Sequence, residues 1–253
     1  KGNAVIAAKD ASGKILWSWH IWLTNQPKEH VYNNNAGTMM DRNLGATSAA
    51  RGDVGALGLL YQWGRKDPFL GSSSISDNTI AKSTIFWPSA VSSNSTNGTI
   101  AYAIANPTTF IGGNYSNQDW YYSEDSSTDN TRWTESESSK SIYDPCPAGW
   151  RVPDGGMNGV WNKAGFYDYD TTYDNTNNGI SFSISSPSKT WYPASGYLTG
   201  GDGSLRGVAL RGYYWSASPK NSFAYSLLFL PSDVYVAIDE YRKDGQSVRC
   251  IKE

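Results

Sequence analysis

Residues 223–230 read Phe-Ala-Tyr-Ser-Leu-Leu-Phe-Leu, and the reading of this octet decides the fold. Tyr225, Leu227 and Phe229 alternate with Ser226, Leu228 and Leu230, the period of two of an extended strand. One set faces a core and the other faces away. The first set reads as core. The second then lies on an outer face with Tyr235, Val236, Ile238 and Tyr241, and an exposed apolar and aromatic patch marks a binding surface. The competing reading is a strand buried on both faces.

Working outward, the same alternation governs most of 213–251. Upstream, Ile180, Phe182 and Ile184 alternate with serines, and Trp191-Tyr192-Pro193 and 205–210 read as further strands. Residues 4–23 form one or two strands, because Ile15, Trp17, Trp19, Ile21 and Leu23 alternate with Leu16, Ser18, His20 and Trp22. Asn33 to Gly37 make a turn. Asp53 predicts the cap of a helix running through Leu57, Leu60 and Tyr61 toward Trp63 and ending at Asp67-Pro68. Asp154 predicts the cap of a second helix over 155–165, with Met157, Val160 and Trp161 on its apolar side. The stretch 71–140 is rich in Ser, Thr, Asn and Asp and reads as a loop-rich insertion. Its aromatics, Trp87, Tyr102, Phe110, Tyr115, Trp120, Tyr121, Tyr122 and Trp133, anchor it to a core. The expected class is α+β: short antiparallel strands, two helices and long loops in one domain over 1–253.

Composition narrows the function. Of 253 residues, 17% are charged and 14% aromatic, so Trp and Tyr supply much of the core. The net charge is -2 and no basic block stands out, which gives nucleic-acid binding no electrostatic footprint. No apolar run approaches the roughly 20 residues of a membrane span. The chain begins at Lys1 without an initiator Met or signal peptide, which reads as a mature or trimmed form, so targeting is not legible in it.

Catalytic signals are thin. There is no Gly-x-Ser-x-Gly elbow, P-loop or His-Glu-x-x-His. His20 lies among tryptophans and reads as structural, and nothing selects a catalytic carboxylate pair. Asp174, Thr176, Asn178 and Gly179 imitate the first half of a calcium loop, but Ser185 stands where its last acid belongs. A turn of Asx residues is the simpler reading, while Asp168 and Asp170 leave a calcium site open. No cofactor is expected. Cys146 and Cys250 form either one disulfide or two buried thiols, and with His20 and His30 they lack zinc spacing.

Several segments carry a resemblance. They are Trp17-Ser18-Trp19-His20-Ile21-Trp22, Met40 to Ala46 (MDRNLGA), Gly58 to Pro68 (GLLYQWGRKDP), Tyr143 to Pro153 (YDPCPAGWRVP), Tyr214-Trp215-Ser216-Ala217-Ser218 and Ser247-Val248-Arg249-Cys250. Together they resemble the FISUMP-type domain of surface and fimbrillin-associated proteins of gut bacteria, over nearly the whole chain. The resemblance implies a C-type-lectin-like fold, export to the cell surface and a Cys146–Cys250 disulfide. It does not imply calcium-dependent sugar binding, since neither Glu-Pro-Asn nor Gln-Pro-Asp is present. A distant likeness to formylglycine-generating enzymes lacks their catalytic cysteine arrangement.

A narrower resemblance covers 214–249, which looks like the variable region of proteins diversified by retroelements. Tyr225, Leu227, Phe229, Ser232, Val234, Arg242 and Gly245 match its fixed scaffold. Phe223, Ser226, Leu228, Leu230, Asp233, Tyr235, Ala237, Ile238, Asp239, Tyr241, Lys243 and Asp244 fall at its variable positions, and the resemblance implies that they point to solvent and bind ligand. The expected protein is a surface or pilus-tip adhesin, not an enzyme, whose partner is a host or bacterial surface protein or glycan. A structural pilus or surface-layer subunit is the alternative, and a hydrolase or oxidase a remoter one.

Overall fold

The computed structural model of the chain describes residues 1–113, 118–125, 127–136, 138–166, 172–185 and 187–253. Tyr115, Asp168 and Asp170 therefore lie outside the described residues. The chain opens with a hairpin of β1 (Gly2–Lys9) and β2 (Ile15–Leu23), followed by β3 (Glu29–Tyr32), β4 (Gly37–Met40) and β5 (Leu60–Gln62). The polar insertion holds β6 (Val91–Ser92), α1 (Ile100–Ala105) and β7 (Ile111–Gly112). Then come β8 (Trp150–Arg151), α2 (Val160–Lys163), β9 (Tyr173–Asp174), β10 (Gly179–Ser183), β11 (Lys189–Pro193), β12 (Ser195–Leu198) and β13 (Leu205–Val208). The C-terminal part is β14 (Gly212–Lys220), β15 (Phe223–Phe229), β16 (Val234–Tyr241), β17 (Gly245–Ser247) and β18 (Ile251–Lys252). Small, mostly antiparallel sheets and two short α-helices make this an α+β protein.

The largest sheet has seven strands, in the order β13-β12-β17-β14-β15-β16, with β5 added on β17. Leu227 and Phe229 of β15 sit in the main aromatic core beside Trp161, Phe182, Tyr192 and Tyr214, as the opening octet predicts, whereas Tyr225 is half-buried beside Gly155 and Gly156 and lies outside that core. Across the sheet, Trp63, Trp133, Trp215, Ala224 and the disulfide form a second core.

Tryptophans fix this second core through their polar edges. Trp63 Nε1 donates to the Ser216 carbonyl at 2.9 Å, and Trp215 Nε1 to the Tyr61 carbonyl at 2.8 Å. Cys146 and Cys250 are bonded, closing 104 residues, which the chain-entropy account values at about 4–5 kcal/mol.

The helix predicted after Asp53 is a single 3-10 turn, Val54–Ala56, and Leu60 to Gln62 are a strand. Asp53 does cap the turn, accepting from the Gly55 N–H at 2.8 Å. Gly58 then breaks the helix: it sits at φ +74°, and a side chain there would meet the Leu44 carbonyl oxygen. The second predicted helix is present but short, a 3-10 turn at Gly156–Asn158 followed by α2. Its N-cap is Gly159, since the 3-10 turn separates it from Asp154, whose carboxylate pairs with Arg151 at 2.8 Å. The other α-helix, α1, lies inside the insertion, capped by Thr99 accepting from the Tyr102 N–H. The insertion is anchored as its aromatics imply, with Phe110, Trp120 and Trp133 buried.

Candidate functional site

The C-terminal hairpin is held from beneath by residues remote in sequence. Arg242 is fully buried and donates to the carbonyls of Phe223 (2.8 Å) and Asn221 (2.9 Å) and to Asn130 Oδ1 (2.6 Å). It shares the Asp119 carboxylate with Arg132, and both guanidinium groups lie over the Trp63 ring. Arg242 thereby clamps the β15 end of the hairpin to the insertion. A second buried arginine, Arg249, lies 3.7 Å over the Tyr192 ring and donates to Asn43 Oδ1 at 2.8 Å.

On this base the twelve predicted ligand residues divide. Asp233, Tyr235, Asp239 and Tyr241 are exposed, with Tyr235 at 45%. Phe223, Leu230, Ala237 and Ile238 are half-buried. Ser226, Leu228, Lys243 and Asp244 are buried, which corrects their predicted outward direction. At Ser226 and Leu228 the strand is covered on both faces, the competing reading of the octet. Ser226 Oγ donates to Gln246 Oε1 at 2.6 Å, and Leu228 is only 6% exposed. Asp244 accepts the Gly200 N–H at 2.6 Å, which binds the β16–β17 turn to the β12–β13 turn, and the Lys243 stem lies across Gly113 and Gly200.

The outward residues do not form one face. Leu228 pairs with Tyr235, but Ser226 pairs with Ile238, so β16 carries one extra residue between them. A bulge inverts the side-chain parity beyond it. Tyr235 and Ile238 stand on the Leu228 side of the sheet. Asp239 and Tyr241 stand on the other, where Tyr241 packs on Phe223 at 5.3 Å and Lys220 pairs with Asp239 at 3.1 Å. Val234 and Val236 turn into the main core, so Val236 leaves the predicted patch.

Glu240 belongs to this corner and escaped the sequence reading, although its place between Asp239 and Tyr241 in an alternating strand was the available signal. Burial, then the charges of Asp244 and Asp239, push its carboxyl up to about 7. Burial does the same to Asp244, up to about 7, against the opposing pull of the Gly200 N–H and Lys243.

The remaining candidates are structural. His20 bridges Asn3 and Tyr61, and burial lowers it to about 4, so the ring is neutral. Asp174 accepts the N–H groups of Thr176 and Asn177, an Asx turn. Among the described residues no group of three or more His, Cys, Asp or Glu is placed to hold a metal, and no helix is long and apolar enough to cross a membrane.

Compared with protein families, curated proteins and solved structures, the chain matches none. The resemblance to FISUMP-type domains therefore rests on the motifs quoted above.

Proposed function

We propose that the chain is an exported surface module of C-type-lectin-like fold that binds a protein or glycan through β16 and its flanks and performs no chemistry of its own. One observation carries this reading. Residues 231–241 contain no buried side chain, whereas the nine residues 242–250 that follow are all buried. A rigid base under an open strand lets outward side chains change without unfolding the protein.

The recognition set is then narrower than the motif implies. It comprises Phe223, Leu230, Asp233, Tyr235, Ala237, Ile238, Asp239 and Tyr241. Tyr235 is the candidate anchor on one side of the sheet and Tyr241 on the other, since aromatic side chains dominate binding energy at interfaces. The disulfide fits an oxidising compartment outside the cytosol.

Diversification of these positions has a direct test in the gene's locus. The expected finding is a near-copy of codons 214–249 beside a reverse-transcriptase gene, differing where the copy has adenine. The mismatches should fall on the eight outward positions and spare the codon of Arg242. A locus with no such copy removes diversification and leaves the open strand as the sole support for the site. Mismatches concentrated at buried positions would contradict the assignment of the face.

A further inference from the structure

Two edge strands, β16 and β1, differ in character. β16 ends the seven-stranded sheet and carries Asp239 and Glu240 and a bulge, all of which discourage another strand from pairing there. Among the described residues β1 pairs only with β2. It has no Pro and no charge from Gly2 to Ala8, and its one irregularity lies at its end, between Ala8 and Lys9. The outer face of the same hairpin is apolar and open, formed by Ile6, Trp19 (46% exposed), Ile21 and Leu23 (67% exposed). Beside the edge runs a groove of about 560 Å³, lined by Asn3, Ala4 and Val5 and by Leu59, Leu70 and Lys82. An unprotected edge over a groove is a template for strand addition, in which main-chain hydrogen bonds supply affinity and side-chain pockets supply specificity.

We propose that the free edge of β1 receives an extended segment of a partner chain as a third, antiparallel strand, with alternating apolar residues and acidic flanks. The charges select this occupant. Lys1 and Lys9 bracket the strand and Lys82 lines the groove. A second copy paired about a two-fold at Val5 would set Lys1 against Lys9 at both ends, and like charges directly opposite each other destabilise a sheet. Acidic residues at those two positions reverse the sign. The site is separate from β16, so neither proposal depends on the other.

The test uses the full chain and an acetylated, amidated peptide, Glu-Val-Thr-Val-Thr-Val-Thr-Val-Glu, read by titration and by amide hydrogen exchange. Its valines fall beside Ile6 and Ala4, and its glutamates beside Lys1 and Lys9. Saturable binding is expected, with exchange slowed at β1 amides and unchanged at β16. Replacing both the central Thr of the peptide and the Val after it by Pro should weaken binding at least tenfold, since neighbouring residues turn their N–H groups to opposite edges and one of the two is a ladder donor. Replacing both Glu by Lys should weaken it severalfold, as should Lys82→Glu in the protein, and added salt should erase both differences. Absence of saturation up to about 1 mM, or equal binding of the Pro peptide, overturns strand addition. Equal binding of the Lys peptide overturns the acidic partner. A dimer in sedimentation whose β1 amides are already protected would assign the edge to a second copy instead.

Discussion

The segments 231–241 and 242–250 are neighbours in one chain and opposites in environment. The first contains no buried residue and the second contains nothing else. Composition does not separate them. The open segment has Val234, Val236 and Ile238, and the buried one has Arg242, Lys243, Asp244 and Arg249. What separates them is partners. Three of the four charged groups in the buried run are matched by something distant: Arg242 by Asp119 and Asn130, Asp244 by Gly200, Arg249 by Asn43 and Tyr192. Polarity in a sequence thus marks the surface only where the fold supplies no mate.

The largest effect expected from breaking this contrast is loss of the disulfide at Cys250, within the buried run. The double variant Cys146→Ser with Cys250→Ser should lose up to about 4–5 kcal/mol. For a chain of this size that is roughly 10 °C or more in melting temperature. A calorimetric shift of a degree or two would mean that the tryptophan cores hold 242–250 without the bond. Next comes Asp119→Ala. It leaves Arg132 and Arg242 buried without their shared carboxylate and should cost about 3–5 kcal/mol. Denaturant unfolding checks it, and exchange protection at Asn221 and Phe223 should fall with it, since Arg242 is what holds that end of β15.

Leu228→Ala sharpens the comparison within the predicted ligand set. A side chain 6% exposed should cost about 2–3 kcal/mol on truncation, whereas a freely variable surface position would change stability by less than about 0.5 kcal/mol. An effect at the surface level would restore Leu228 to the face. The acids of the corner give a smaller, pH-dependent effect. Glu240 and Asp244 are both raised from their usual range to about 7, so the folded state holds more protons than the unfolded chain between about pH 4 and 7. Their contribution is complete below that window and is lost as pH rises through 7. The melting temperature should therefore drift down between pH 5 and 8, and Glu240→Gln should flatten the drift. An unchanged slope would place the Glu240 carboxyl in water.

Much of this architecture was legible in the sequence, for a physical reason. Alternation at 15–23, 180–184 and 225–229 reports the local period of a strand, and β2, β10 and β15 are found there, although β15 is buried on both faces from Ser226 to Phe229. The helix after Asp53 misled because Leu57, Leu60 and Tyr61 have helical spacing, while Gly58 and Gly64, both at positive φ, carried the contrary signal. Ser226 was illegible because its mate, Gln246, is set by tertiary pairing. The bulge in β16 was illegible too, since an extra residue shows only against a partner strand. Six residues apart, Tyr235 and Tyr241 share a face in any regular strand, and only the observed register parts them.

That parting makes the smallest stability effect the most informative one. Tyr235→Ala and Tyr241→Ala should each leave the unfolding free energy within about 0.5 kcal/mol, because neither side chain is buried. Tyr241 has slightly more to lose, since it packs on Phe223 at 5.3 Å while Tyr235 lies across from Leu228. On a single partner contacting one side of the sheet, the two substitutions should differ sharply in binding. The one on the contacted side should lower affinity by about 2 kcal/mol or more, roughly thirtyfold, and the other should barely matter. Screening both variants against a glycan array and a panel of host surface proteins reads this directly. Equal losses would require a partner that wraps the edge of β16 and grips both sides. Losses accompanied by a fall in melting temperature would mean that the tyrosines hold the strand and do not present it.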